Sequence, residues 1–320
     1  NAGNSIASGG NFNTVLGDEA GTAITTGDSN VAIGFKALFT EDAHGTNVAI
    51  GDSALRVLNA GANGNNTAVG HEAGASMTTG IENVLIGTAS GDALTDADFN
   101  TAVGKSALGN DTLGSRNTAV GNSALQTQRF TTATDSYNSA FGFNAGGGIT
   151  TGLFNTLLGS LAGDALTDAD RNVAIGSGAL STDTLGSKSI AIGQAALFTQ
   201  NFTTATDTFN VAIGHDAGTA VTTGVENNLV GGLAGDALTV GTKNNAFGYR
   251  ALSDDTKGSK SVAIGNFTLA SQNFTTATDA FNTAVGHGAG EAITTGVQNT
   301  FLGALAGDAA TTRDGNTALG

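Results

Sequence analysis

Asn30-Val31-Ala32-Ile33-Gly34 is one copy of a motif, Asn-x-Ala-(Val/Ile/Leu/Phe)-Gly-x-x-Ala-(Gly/Leu), that returns throughout the 320 residues. Self-similarity at a fixed interval is typical of repeat architectures. Most copies lie 17 residues apart, one interval is 19 and three are 21, and the later order 17, 17, 17, 21 gives a longer period of 72. We call one repeat a rung and four successive rungs a superrepeat. The glycines that close the first half of the motif are Gly17, Gly34, Gly51, Gly70, Gly87, Gly104, Gly121, Gly142, Gly159, Gly176, Gly193, Gly214, Gly231, Gly248, Gly265, Gly286, Gly303 and Gly320.

Each rung predicts short strands joined by turns. The motif is compatible with β-structure, and the residues between its copies are mostly Gly, Asn, Asp, Ser and Thr, which favour turns. A helix is disfavoured because glycine, at ~1 kcal/mol per interior residue, interrupts almost every half-rung. We therefore predict an all-β fold, a parallel β-solenoid of about 18 rungs. Stacking at roughly 4.8 Å per rung would give a rod about 85 Å long.

The array covers the whole sequence, so we expect one repeat domain over residues 1–320. Residues 1–12 form a partial first rung, residues 13–320 hold the regular rungs, and residues 316–320 start a further, uncapped rung. Because repeat arrays need caps over their open strand edges, this favours either a slice of a longer fibre or end-to-end stacking of subunits.

The strand segment also predicts self-association. In Asn30 to Gly34, and again in Ser189-Ile190-Ala191-Ile192-Gly193, consecutive residues are apolar, so both faces of the strand favour leaving water. A thin solenoid can bury only one face. A homo-oligomer whose axis runs along the array would cover the other face in every rung.

Two further motif positions are predicted to be structural. The Asn that opens the rung is replaced only by Ser189 and Ser261, and it would stack as an amide ladder between rungs. An apolar residue eleven positions after it is predicted to lie in the core; it is Ile24, Met77, Leu94, Ile149, Leu166, Val221, Leu238 and Ile293.

These residues resemble a known family. Asn-Val-Ala-Ile-Gly, and the variant from Ser261 to Gly265, each followed by x-x-Ala, are similar to the head repeats of YadA-like trimeric autotransporter adhesins. The longer form over residues 66–80 and 282–296 is also similar to repeats of bacteriophage tail fibres and secreted bacterial fibre proteins. The resemblance implies a left-handed parallel β-roll that assembles as a homotrimer. The rungs are longer than those of the adhesin head, and the sequence contains no coiled-coil stalk, membrane anchor or C-terminal chaperone domain.

The three 21-residue rungs insert nearly identical loops. An aromatic residue beside a threonine cluster on a protruding loop could bind a host-surface glycan or protein. Alternatively, the Phe folds back over an edge of the solenoid or locks neighbouring protomers. The candidate binding residues are Phe130, Thr131, Thr132, Phe202, Thr203, Thr204, Phe274, Thr275 and Thr276.

Clustered carboxylates suggest a second candidate site. Such a cluster in a turn could hold Ca²⁺, which takes oxygen ligands at loose geometry. The spacing fits neither an EF-hand nor the glycine-rich calcium roll, and capping of backbone amides is the alternative. The candidate ligands are Asp92, Asp96, Asp98, Asp164, Asp168 and Asp170.

Two other patterns carry weaker hypotheses. His71, His215 and His287 share one rung position, where a threefold ring could bind a metal or an anion, but Phe143 takes the same position. Paired threonines such as Thr78-Thr79 could suit an ice-binding surface, but their irregular spacing and the glycine after each pair favour turns. No catalytic or nucleotide-binding motif is present, so we expect no enzyme.

The composition limits the partners. Twelve Lys and Arg stand against 27 Asp and Glu, a net charge of −15, which argues against nucleic acid and membrane surfaces. The apolar runs are far shorter than a membrane span, and there is no Cys, which is compatible with an extracellular location. The sequence thus predicts a structural shaft of a trimeric attachment fibre, on a bacterial surface or a virion. A self-stacking filament and a glycan-binding or receptor-binding module are the alternatives.

Overall fold

The computed structural model describes all 320 residues and divides into two compact units, Asn1–Asn155 and Thr156–Gly320. No residue lies in a helix. The first unit contains β1 (Thr14–Leu16), β2 (Val31–Ile33), β3 (Val48–Ile50), β4 (Thr67–Val69), β5 (Val84–Ile86), β6 (Thr101–Val103), β7 (Gly114–Ser115), β8 (Thr118–Val120), β9 (Thr134–Asp135) and β10 (Ser139–Phe141). The second contains β11 (Thr156–Leu158), β12 (Val173–Ile175), β13 (Gly186–Ser187), β14 (Ile190–Ile192), β15 (Thr206–Asp207), β16 (Val211–Ile213), β17 (Asn228–Val230), β18 (Asn245–Phe247), β19 (Gly258–Ser259), β20 (Val262–Ile264), β21 (Thr278–Asp279), β22 (Thr283–Val285), β23 (Thr300–Leu302) and β24 (Thr317–Leu319).

Every three-residue strand is the centre of the motif, and within each unit these strands pair in parallel. In the first unit Ala32 of β2 lies opposite Ala49 of β3, and in the second Ala191 of β14 lies opposite Ala212 of β16. The register therefore places the same motif position of successive rungs side by side. The chain is a parallel β-solenoid of about 18 rungs, spaced mostly by 17 residues, and this confirms the predicted fold class. The trimer and the single domain over residues 1–320 stay predictions.

The two-residue strands belong to the inserted loops. Gly114-Ser115 of β7 pairs with Thr134-Asp135 of β9 in the following 21-residue rung, and β13 with β15 and β19 with β21 repeat the arrangement. The extra residues thus leave the rung just before this short pairing. The insertion is absorbed locally, so the main strand ladder keeps its register on either side of it.

The core is filled by complementary large and small residues. Where the third motif position is Leu85, the ninth is Gly91, and a Cβ added to this glycine would lie 2.8 Å from Cδ2 of Leu85. In the next rung the third position is Ala102 and the ninth is Leu108, both fully buried. Interiors tolerate neither voids nor overlap, so the exchange keeps the enclosed volume constant. All eight residues predicted at the second apolar position are fully buried, as expected.

The amide ladder is also confirmed. The side-chain oxygen of Asn83 accepts a hydrogen bond from the backbone N–H of Asn100 at 2.9 Å, while its Nδ2 donates to the carbonyl of Ala97 at 2.8 Å and to Oδ1 of Asn66 at 3.2 Å. Each buried amide therefore satisfies backbone groups of its own rung and of the next. Buried polar groups without partners would cost about 1–3 kcal/mol each, which explains why the position is so regular.

Candidate functional site

The outer strand face is the largest repeated surface of each unit. We use this name for the second and fourth motif positions, whose side chains point away from the core in every three-residue strand. In β12 the central Ala174 is fully buried, whereas Val173 and Ile175 on either side of it are half-buried. The strands are thus apolar on both faces, and one chain covers only the inner face.

Bulky side chains make this face strongly apolar. At the fourth motif position the exposed fraction reaches 41% for Phe141 in the first unit, and 42% for Ile264 and 52% for Leu302 in the second. Large contiguous apolar patches are rare on monomeric soluble proteins and mark interaction sites. Because neighbouring strands bring the same position side by side, the patch continues from rung to rung within each unit.

The structure separates the two residue types of the inserted loops. Phe130, Phe202 and Phe274 are 5–7% exposed, so each ring folds back onto its own solenoid. The adjoining threonine pairs are exposed in all three loops. A ligand could therefore meet the threonine pairs but not the phenylalanine rings, and the loop residues stay candidates only in that reduced form.

A buried hydrogen-bond network holds each loop in place, and sequence reasoning missed it. One carboxylate oxygen of Asp255 accepts from the backbone N–H groups of Gly258 at 2.9 Å and Phe274 at 3.1 Å. Its other oxygen accepts from Nε2 of Gln272 at 2.6 Å, and Oε1 of that glutamine accepts from Asn282 at 2.8 Å. The signal was available, because Asp and Gln occupy the apolar core position in successive rungs. Equivalent networks join Asp111, Gln128 and Asn138, and Asp183, Gln200 and Asn210.

Removing the glutamine should loosen a loop without touching the surface. We expect Gln272→Leu to destabilise the surrounding rungs by about 2–4 kcal/mol, because it leaves a buried carboxylate and the Asn282 amide without their shared partner. Burial raises the pKa of Asp255 in the folded chain, so the stability it contributes is present at low pH and is lost as the pH rises through that pKa. Amide hydrogen exchange of residues 272–282 at two pH values measures the effect. Ser271→Ala, a neighbouring change outside the network, should leave exchange unchanged, and equal exchange in both variants would contradict the prediction.

The predicted calcium ligands act in hydrogen bonds between rungs. Oδ1 of Asp98 accepts from the backbone N–H of Ile81 at 2.8 Å, and Oδ1 of Asp96 accepts from the hydroxyl of Thr79 at 2.6 Å. In the second unit Oδ1 of Asp164 accepts from Ser181 at 2.6 Å. The carboxylates of neither predicted set form a group of three close ligand atoms. The capping alternative thus has direct contacts, and calcium binding stays a prediction.

The three histidines of the shared rung position are exposed. In the first unit His71 lies beside Glu72, with 3.7 Å between Nδ1 and the carboxylate. In the second unit Nδ1 of His215 lies 2.9 Å from Asp216, and the ring of His287 meets the edge of Phe267. Each imidazole therefore has a neighbour within its own chain, and the threefold ring stays a prediction.

A second repeated surface was not anticipated, and we call it the left-handed edge. It consists of the residue directly before the motif Asn, whose backbone φ is positive in nearly every rung. Bulky residues rarely adopt this conformation. Its aromatic and cationic members are Phe99, Arg116, Tyr137 and Phe154 in the first unit, and Arg171, Lys188, Phe209, Lys243, Lys260 and Phe281 in the second.

Aromatic and cationic side chains stack along the left-handed edge. The Arg116 guanidinium lies 4.6 Å from the ring centre of Phe99 and 5.8 Å from that of Tyr137, which in turn stacks on Phe154 at 5.5 Å. Arg116 also meets Asp135, at the end of the first inserted loop, at 3.0 Å. The exposed edge and the exposed loop threonines therefore form one continuous surface at each insertion.

The second unit repeats this arrangement twice. Lys188 meets Asp207 at 2.5 Å and lies 5.1 Å from the ring centre of Phe209, and Lys260 does the same with Asp279 and Phe281. A residue at a fixed offset from the motif, alternating between aromatic and cationic, was the sequence signal that could have revealed this edge.

Comparison with protein-family models gives no match, and comparison with curated proteins gives none. The parallel solenoid is compatible with the β-roll repeats that the sequence resembles. The chain also has no helix with the length and apolar character that a bilayer-spanning segment needs.

Proposed function

We propose that this chain is the non-enzymatic structural shaft of an extracellular homotrimeric fibre, on a bacterial surface or a virion, used for attachment. The observation that carries the proposal is the outer strand face, which leaves the same apolar motif positions half-exposed in rung after rung. A monomer gains nothing from apolar residues there, because each of them adds water-exposed apolar surface.

The energetics favour assembly through this face. Covering the exposed half of one Val, Ile or Leu side chain contributes on the order of 1 kcal/mol, and each of the ten rungs of the second unit presents at least one such group or a Phe. The gross gain is comparable with the roughly 4–15 kcal/mol lost in association even before the first unit is counted. Identical repeats related by a symmetry axis parallel to the strand stack would let all rungs take part.

The mechanism of such a shaft is mechanical. Main-chain ladders, the buried amide ladder and the loop networks hold each rung to the next, so the fibre resists local opening and proteolysis. A stiff spacer of this kind would carry a binding tip or display the repeated loops away from the surface that bears it.

Light scattering on the purified chain, with negative-stain images of the same peak, tests the proposal. The expected result is a particle of three chains, about 94 kDa for a chain of 31.3 kDa. A monomer of 31.3 kDa would overturn the trimeric shaft. Particles whose mass rises with concentration without limit would instead support the self-stacking filament.

The continuous surface at each insertion favours a second candidate function, recognition of a glycan or protein receptor. Aromatic rings, a carboxylate and hydroxyl groups are the side chains that commonly contact sugars and polar partners, and here they recur together three times. Near-identical copies at fixed spacing would bind a repetitive surface with high avidity.

Changing all six loop threonines to alanine tests recognition directly. If the loops bind a host glycan, the variant of Thr131, Thr132, Thr203, Thr204, Thr275 and Thr276 should lose at least about tenfold in glycan-array signal while keeping the mass of the parent, because avidity multiplies small losses. The matched control changes Thr26, Thr223 and Thr295, exposed threonines of regular rungs, and should bind like the parent. Equal binding by all three proteins would remove the loops from recognition.

A further inference from the structure

The first superrepeat departs from the others at one buried position. Glu41 occupies the place that Asp111 holds in the next superrepeat, and Leu58 occupies the place of Gln128. The side chains of Glu41 and Leu58 are both fully buried. The first superrepeat therefore keeps the buried acid and has lost the amide that serves it elsewhere.

The lost amide leaves Glu41 poorly satisfied. Its two carboxylate oxygens accept only from the backbone N–H groups of His44 at 3.3 Å and Ala60 at 3.4 Å. By contrast, Asp111 has a 2.6 Å bond from its glutamine in addition to two backbone donors. A buried carboxylate needs close donors or a counter-charge, and burial accordingly raises the pKa of Glu41.

Two further metal-ligating side chains adjoin this carboxylate. The ligand atoms of Glu41, Asp42 and His44 all lie within 4.8 Å of one another, and no other three His, Cys, Asp or Glu side chains in the chain do so. Nδ1 of His44 lies 3.6 Å from Oε1 of Glu41, is fully buried and has no hydrogen-bond partner. This unpartnered nitrogen, which points at an undersatisfied carboxylate, is the independent observation that indicates a ligand.

We propose that Glu41, Asp42 and His44 bind one divalent first-row transition-metal ion of the Zn²⁺ type. Two carboxylates and one imidazole are a ligand set that such ions accept, with a fourth position left for water. Ligand atoms around one tetrahedral Zn²⁺ lie about 3.4 Å apart, so the Glu41 and His44 atoms are already near that separation. The ion would supply the counter-charge that the missing glutamine does not provide. His44 and Asp42 are half-buried, which gives the ion a route from solvent.

Isothermal titration of the full chain with ZnCl₂, followed by Ca²⁺ in a separate run, tests the site. One Zn²⁺ per chain is expected, with Ca²⁺ at least about tenfold weaker because imidazole is a poor ligand for calcium. The bound ion should also raise the unfolding temperature of the first unit, since it binds only the folded chain. Absence of Zn²⁺ binding, or Ca²⁺ binding of equal strength, would overturn the proposal.

His44→Ala is the decisive variant, and it should fold. Other rungs carry alanine at the same position, namely Ala97 and Ala169, and the amide of Asn30 bonds only the backbone carbonyl of His44. The variant should bind Zn²⁺ at least about 100-fold more weakly and lose the rise in unfolding temperature, because a direct ligand is gone. His71→Ala, which removes an exposed histidine of the same unit, should bind like the parent. Unchanged binding by His44→Ala would assign the ion to another place and refute the site.

Discussion

A chain carrying Ile213→Asp and Ile264→Asp is expected to run as a single chain of 31.3 kDa where the parent runs as a trimer. Both isoleucines lie at the fourth motif position of the outer strand face and are 37% and 42% exposed. In a trimer each change would bring three carboxylates together around the axis. Burying an unpaired carboxylate costs several kcal/mol even after relaxation, and six of them exceed what the remaining rungs of that unit can offset.

The fold of the single chain should survive this change. The two side chains point out of the solenoid, so the core, the amide ladder and the strand pairing stay intact, and circular dichroism should match the parent. Light scattering at several concentrations gives the mass. The matched control, Thr204→Asp with Thr276→Asp, adds the same charge to exposed loop positions of the same unit and should remain trimeric. A trimer that persists in the first variant would show that the outer strand face is not the interface.

Gly104→Ala is expected to open the rungs around it. This glycine ends the first half of the motif with a φ of 136°, and an added Cβ would lie 2.4 Å from the carbonyl oxygen of Gly121 in the next rung. Both the backbone conformation and the overlap oppose a side chain, and the obstacle is backbone that the strand ladder holds in place. Each effect costs about 1–3 kcal/mol, so the loss of local stability should be about 3 kcal/mol or more.

Because rungs interact with their neighbours, the damage should spread over adjacent rungs before the unit unfolds as a whole. Amide hydrogen exchange across residues 84–141 and limited proteolysis measure it. Gly61→Ala is the control in the same unit, since a Cβ there meets nothing within 4 Å despite a φ of 68°. Equal protection in the two variants would mean that rung spacing is more adjustable than the contacts of Gly104 indicate.

The repeat made most of the fold predictable from the sequence. A short motif at 17-residue spacing permits only a structure in which each rung meets the next in the same way, so one rung gives the environment of nearly all others. The buried position of Leu94, the ladder through Asn83 and the two apolar faces of the strand all followed from that reasoning.

The surfaces were harder to predict because their contacts depend on exact turn geometry. Nothing in the inserted segment shows whether Phe202 points inward; its backbone N–H is drawn to Asp183, a residue of the preceding rung. The left-handed edge escaped notice because aromatic and cationic residues such as Tyr137 and Arg116 rarely adopt a positive φ. The Glu41 cluster became visible only when the side chains of equivalent rungs could be compared atom by atom.

The loop networks also constrain how such a chain can change in length. Removing the single rung 189–209 would delete Gln200 and leave Asp183 buried without its amide donor. Removing 172–243, a full period of 72 residues, would place Asn244 after Arg171 and give every remaining core residue the kind of neighbour it has now. Recombination between copies is therefore tolerated in steps of four rungs. Related genes that encode chains of different length should differ by multiples of 72 codons, even though the visible repeat is only 17.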